Sequence, residues 1–168
     1  MPNLISQSEE SVSGLSAAEV QLLTAKSNEA KALAYCPYSQ FRVGCALLRK
    51  DAADPEKGLI LGANVENASY PVGTCAERAA VTAAVVAGWK YGDLKAIAVA
   101  TDLVGTLASP CGMCRQFLRE FCEPTMPIIM HGQDGEYVVK TMEELLPMSF
   151  GPESLPKPDA MKEIRGGS

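Results

Sequence analysis

Twice in this chain an apolar, strand-like run leads into a helix pattern that opens on cysteine. Leu59 to Val65 is followed, past Pro71 and Gly73, by the Ala-rich stretch Cys75 to Ala87, which Gly88 is placed to end. Leu94 to Thr101, a continuous run of small apolar residues, precedes Cys111 to Cys122, closed by Pro124. The flanking segments extend this order. Ser16-Ala-Ala-Glu19 reads as a capping box, and Val20, Leu23, Ala30 and Leu33 form a helical stripe to about Tyr35, ahead of Pro37. Phe41 to Leu48 places Phe41, Val43, Cys45 and Leu47 on one face, as a half-buried strand does, and forms a hairpin with Leu59 to Val65. Pro127 to Met130 is a strand, Asp134-Gly135 turns into Tyr137 to Lys140, and Thr141 caps a short helix through Leu146. The order α-β-β-α-β-α-β-β-α predicts an α/β fold, a three-layer α/β/α sandwich around a mixed five-stranded sheet.

The length of 168 residues, with 47% hydrophobic and 21% charged, fits one core. A single domain is expected over 16–153, with the polar ends 1–15 and 154–168 expected to fray. No run approaches the 18 or so apolar residues of a membrane-spanning helix. The formal charge of −5 opposes a sequence-independent grip on DNA or RNA, which needs clustered Lys and Arg. The first residues lack a secretory signal, so a cytoplasmic location and six reduced cysteines are expected.

By itself Cys111-Gly-Met-Cys114 is a redox pair, half a metal site, or two core thiols on one helical turn. Ser109 is expected to cap its helix and Pro110 to occupy the first turn, which places both sulfurs where the helix dipole favours thiolates. Cys75 stands at a second helix start. If adjacent strands deliver both starts to one sheet edge, three thiolates converge and zinc keeps a fourth position open for water. Glu77 then lies beside that water as a proton acceptor.

Cys75-Ala-Glu77 with Pro110-Cys111-Gly-Met-Cys114 resembles the metal signature of the cytidine deaminase superfamily. The resemblance extends to Tyr35-Cys-Pro-Tyr-Ser39, Phe41-Arg-Val-Gly44, Asn64-Val-Glu-Asn-Ala68, Tyr70-Pro71 and Leu145-Leu-Pro-Met-Ser-Phe-Gly-Pro152. Three cysteines, without histidine at position 75, match its nucleoside-acting branch. The resemblance implies one Zn²⁺ per subunit on Cys75, Cys111 and Cys114. It implies hydrolytic deamination of cytidine and 2′-deoxycytidine to the uridine nucleosides, with Glu77 as proton shuttle, in pyrimidine salvage. It also implies a homotetramer with shared active sites. Three thiolates on one Zn²⁺ leave an excess negative charge, so Arg78 is predicted to touch a thiolate.

Asn64 and Glu66, two apart at a strand end, point to one side, and the family uses the matching pair on the ribose 3′-hydroxyl. Ala68 belongs to the same motif. Phe41 can stack on the pyrimidine and Tyr70 can close the pocket, with core packing as the plainer reading. The family implies that Phe150 enters a pocket across an interface. Cys36, Cys45 and Cys122 are expected to pack as small apolar groups, and His131 to be an exposed turn residue. The rival readings are a closed structural zinc module, a thiol redox protein using Cys111 and Cys114, and a deaminase of a cytosine-nucleoside antibiotic such as blasticidin.

Overall fold

The computed structural model describes residues 13–107, 109–133 and 135–156. Its elements are α1 (Ala17–Lys31), β1 (Val43–Arg49), β2 (Leu59–Ala63), α2 (Ala76–Val86), β3 (Leu94–Thr101), α3 (Gly112–Arg119), β4 (Pro127–His131), β5 (Tyr137–Thr141) and α4 (Met142–Leu145), with short 3₁₀ turns at Tyr70–Val72 and Pro152–Ser154. The five strands form one sheet in the order β2-β1-β3-β4-β5. β1 is antiparallel to both β2 and β3, β3 is parallel to β4, and β4 is antiparallel to β5.

Two apolar clusters lie on opposite faces of this sheet. Cys45, Leu47, Ile97, Val99 and Ile128 pack against Ala76, Ala80, Val81 and Leu118 of α2 and α3. Ala46, Leu48, Ala96, Ala98 and Ile129 pack against Leu15 and against Val20 and Leu23 of α1. The layers are therefore α/β/α, as the element order predicts. Two glycines set the spacing between layers. A Cβ on Gly44 would stand 2.0 Å from the Ser27 carbonyl oxygen and one on Gly62 2.5 Å from the Ala76 carbonyl oxygen, so α1 and α2 lie directly on the strands.

Several boundaries differ from the sequence reading. α1 stops at Lys31, and Leu33 is 73% exposed, because the Tyr35 amide leaves the helix to pair with the Asn64 carbonyl at 2.9 Å. Ser27 takes the buried place instead. β1 begins at Val43 and is buried on both faces, since helices cover both sides of the sheet. α3 ends at Arg119, where the Phe121 amide tightens the last turn by bonding the Leu118 carbonyl at 2.9 Å. Leu15, in a stretch expected to fray, is 1% exposed. The terminal stretches 1–12 and 157–168, and Asp134 of the expected turn, lie outside the described residues.

The largest departure is His131. It ends β4, is 1% exposed, and sits with its ring centroid 5.7 Å from that of Tyr137. The Thr24 hydroxyl donates to the Val20 carbonyl at 2.7 Å, so its oxygen accepts from His131 Nε2–H at 3.2 Å. That leaves Nδ1 a buried acceptor without a partner among the described residues. Burial alone pulls the ring's pKa down to about 4.

Candidate metal centre and active site

Because β1 runs antiparallel to both of its neighbours, β2 and β3 run in the same direction on either side of it. Their chains leave the sheet at the same edge, and α2 and α3 start there. Convergence of the helix starts, expected if adjacent strands deliver them to one edge, is reached here from strands separated by β1, whose own entry, Phe41 to Val43, arrives at the same edge. Thus the β1 entry, the β2 exit and both helix N-termini surround one cavity of about 480 Å³.

Cys75 is the N-cap of α2 and Cys111 the N-cap of α3, with Cys114 in the first turn of α3. The expected cap, Ser109, lies two residues too early. Its hydroxyl accepts from Arg115 Nη2 at 2.8 Å and is not used as a cap. The sulfurs of Cys75, Cys111 and Cys114 lie within 4.8 Å of one another. Sulfurs about 2.3 Å from a tetrahedral zinc stand roughly 3.8 Å apart, so small side-chain movements would bring this group onto the ion. Neither cysteine N-cap makes a side-chain capping bond, and the positive end of each helix dipole, carried by its unpaired first-turn amides, favours the thiolate form there. A hydrogen bond from Cys114, with help from Arg78 and Cys111, pulls the Cys75 thiol down to about 5, while Cys114 is pushed up. The donor set thus suits zinc, and among the described residues no fourth cysteine joins it.

Arg78 meets the charge argument directly. Its Nη2 lies 3.8 Å from Cys75 Sγ and 3.5 Å from the Gly73 carbonyl oxygen. Glu77, on the first turn of α2, is 3% exposed and lines the cavity. Burial, with the charge of Cys75 added, pushes its carboxyl above the usual range. A carboxyl held this way takes up and gives back protons readily.

The cavity mouth carries the other predicted residues. Asn64 Nδ2 donates to the Phe41 carbonyl at 2.9 Å and its Oδ1 accepts from the Val43 amide at 2.8 Å, which extends the β1–β2 pairing past its end. One Nδ2 hydrogen remains for a ligand. Glu66 accepts from the Tyr38 and Ser39 amides at 2.9 and 3.2 Å and from the Ser39 hydroxyl, which holds its carboxyl below the usual range. Phe41 and Tyr70 line the cavity, and the Tyr70 ring packs tilted against that of Tyr38, with centroids 5.8 Å apart. A second cavity of about 280 Å³ adjoins the first across Ser39, Glu66 and Tyr70.

Two predicted residues stand apart. Ala68 is exposed and Phe150 is 59% exposed, and neither lines the cavity of its own chain. Ser39, Thr74 and Met113 line it without having been singled out. Ser39 sits inside the Tyr35 to Ser39 motif, but its bond to Glu66 spans a loop that no local pattern reveals.

The profile described as "Cytidine and deoxycytidylate deaminase zinc-binding region" matches residues 18–130. A cytidine deaminase of Sporosarcina psychrophila is 41% identical over 137 residues, covering 82% of this chain and 95% of that protein. One from Mycobacterium tuberculosis is 38% identical over 136 residues, covering 81% and 92%. The crystal structure of cytidine deaminase from Burkholderia pseudomallei superposes with a TM-score of 0.72 at 38% identity, covering 77% of this chain and 98% of that one. With the thiol group, the buried Glu77 and the shared fold in place, the chain belongs to the cytidine and deoxycytidylate deaminase family of zinc-binding hydrolases.

Proposed function

We infer that the protein hydrolytically deaminates cytidine and 2′-deoxycytidine to uridine and 2′-deoxyuridine, releasing ammonia. The observation that carries this reading is the placement of one buried carboxyl, Glu77, beside a three-thiol group at a ligand-sized cavity. Cys75, Cys111 and Cys114 would hold zinc, which would supply Lewis-acid chemistry that acidifies water at the site. Glu77 accepts a proton from the attacking water and delivers it to N3 of cytosine, which makes C4 more electrophilic. It then carries the second water proton to the exocyclic nitrogen, and ammonia leaves while C4 keeps the oxygen. Arg78 offsets the negative charge of the thiolates. Asn64 and Glu66, each with hydrogen-bonding capacity left, hold a ribose hydroxyl, and Phe41 and Tyr70 flank the ring and sugar.

The catalytic unit spans 16–153. Ala68 and Phe150, which stand outside the cavity of their own chain, suit a homotetramer in which neighbouring subunits complete each pocket. Six free thiols, three of them needed as zinc ligands, suit the cytoplasm, and pyrimidine salvage follows from the products. Among the described residues no helix is long and apolar enough to cross a membrane. A redox role for Cys111 and Cys114 leaves Cys75, Glu77 and Arg78 without a task, and a closed zinc module finds no fourth ligand among the described residues. The test is ammonia release from cytidine, 2′-deoxycytidine and blasticidin by the purified protein. Turnover of the first two supports the reading; turnover of the antibiotic alone, or of none while zinc is bound, overturns the substrate assignment.

A further inference from the structure

The three thiols are not equally braced. Cys114 is fully buried in α3 and Cys75 is met by Arg78, but Cys111 is exposed at the cavity wall. Cys111 also ends the long connection from β3, in which residues 102–107 and 109–111 form no helix or strand. Something must fix where that connection stops. Arg115, one helical turn after Cys111, folds back over the helix start and makes three bonds of 2.8 Å in three directions. Its Nε donates to the Pro110 carbonyl, its Nη2 to the Ser109 hydroxyl and its Nη1 to the Leu145 carbonyl. The first two acceptors are the residues immediately before Cys111. The third is the last carbonyl of α4, left without a helical partner by the end of that helix. A planar guanidinium can serve three such acceptors at once; a lysine, with its donors on one nitrogen, cannot.

We propose that Arg115 is a positioning residue for the metal centre, pinning the Ser109-Pro110 connection that places the Cys111 thiol and bracing it against the end of α4. This rests on the reading of Cys111 as a zinc ligand. The same helix binds the following segment independently: Gln116 donates to the Phe150 carbonyl at 2.9 Å, and the buried Arg119 donates to Ser149 Oγ at 2.8 Å and pairs with Glu153. Arg119 therefore serves as a control that disturbs the C-terminal segment without touching the Cys111 connection.

The test measures zinc release to excess chromophoric chelator, together with kcat and KM for cytidine, in the wild type, Arg115→Gln, Arg115→Lys and Arg119→Gln. Partners that orient a metal ligand carry about 10- to 100-fold in metal affinity or activity, so Arg115→Gln is expected to release zinc at least about 10-fold faster and to lose kcat more than it gains KM. Arg115→Lys is expected to release nearly as fast, and Arg119→Gln at the wild-type rate. Wild-type release from Arg115→Gln, full rescue by lysine, or equal acceleration in Arg119→Gln overturns the proposal. If Arg115→Gln does not fold, Ser109→Ala carries the test: faster release supports the role and unchanged release overturns it. A wild-type protein that holds no zinc removes the ligand reading itself, and the Arg115 role with it.

Discussion

The buried imidazole of His131 makes the folded protein acid-sensitive by an amount that follows from its surroundings. In the unfolded chain the ring titrates near 6.5; in the fold burial pulls it down to about 4. A histidine with a depressed folded pKa favours folding fully above the unfolded value, and that contribution is lost as pH falls from 6.5 toward 4. Over pH 7.5 to pH 5 the two pKa values give a loss of about 2 kcal/mol, at 1.36 kcal/mol per unit. Carboxylates and thiolates titrate over the same range, so the quantity to measure is a difference. Urea unfolding of wild type and His131→Leu, at pH 7.5 and pH 5, isolates the imidazole. Leucine fills the site without a charge, and Thr24 keeps its bond to the Val20 carbonyl. The stability advantage of wild type over the variant is expected to shrink by about 2 kcal/mol at pH 5, or to become a disadvantage. A difference that stays constant within about 0.5 kcal/mol would refute the claim that the ring is held neutral in the core.

Gly44→Ala places a methyl 2.0 Å from the Ser27 carbonyl oxygen and 2.3 Å from the Lys31 amide nitrogen, so α1 must shift; a loss of about 1–3 kcal/mol in urea unfolding is expected, and unchanged stability contradicts the layer spacing. Arg78→Gln is expected to lower kcat on cytidine less than Glu77→Ala, which loses about 10²- to 10⁴-fold, with zinc kept in both; equal losses would remove the division between charge compensation and proton transfer. Phe150→Ala is expected to raise KM for cytidine and leave zinc content unchanged, since its side chain is exposed on its own subunit. An unchanged KM would place Phe150 outside the active site.

Local chemistry was legible in the sequence where its partners are close along the chain. The capping boxes at Ser16 and Thr141 form with Glu19 and Glu144, three residues on, and both helices begin where expected. The three cysteines and Glu77 announced themselves by their position at two helix starts. Features set by distant partners did not. The Tyr35 amide leaves α1 for Asn64, and His131 is buried against Thr24, a residue more than a hundred positions away. Ser109 reads as a helix cap on composition, but Arg115 claims its hydroxyl and the cap moves to Cys111. β1 reads as half-buried because its alternation shows one apolar face; its other face, Gly44, Ala46 and Leu48, is small enough to lie under α1. Phe150 and Ala68 lie outside the cavity of their own chain, so the part assigned to them depends on a second subunit.

X-ray absorption at the zinc edge of the purified protein tests the central claim most directly, because it reads the ligands without relying on turnover. An open three-thiolate centre predicts one zinc per chain with three sulfurs at about 2.3 Å and one lighter donor at about 2.0–2.1 Å, and loss of a sulfur in Cys75→Ser. Four sulfurs around the ion, or a protein that binds no zinc, would contradict it.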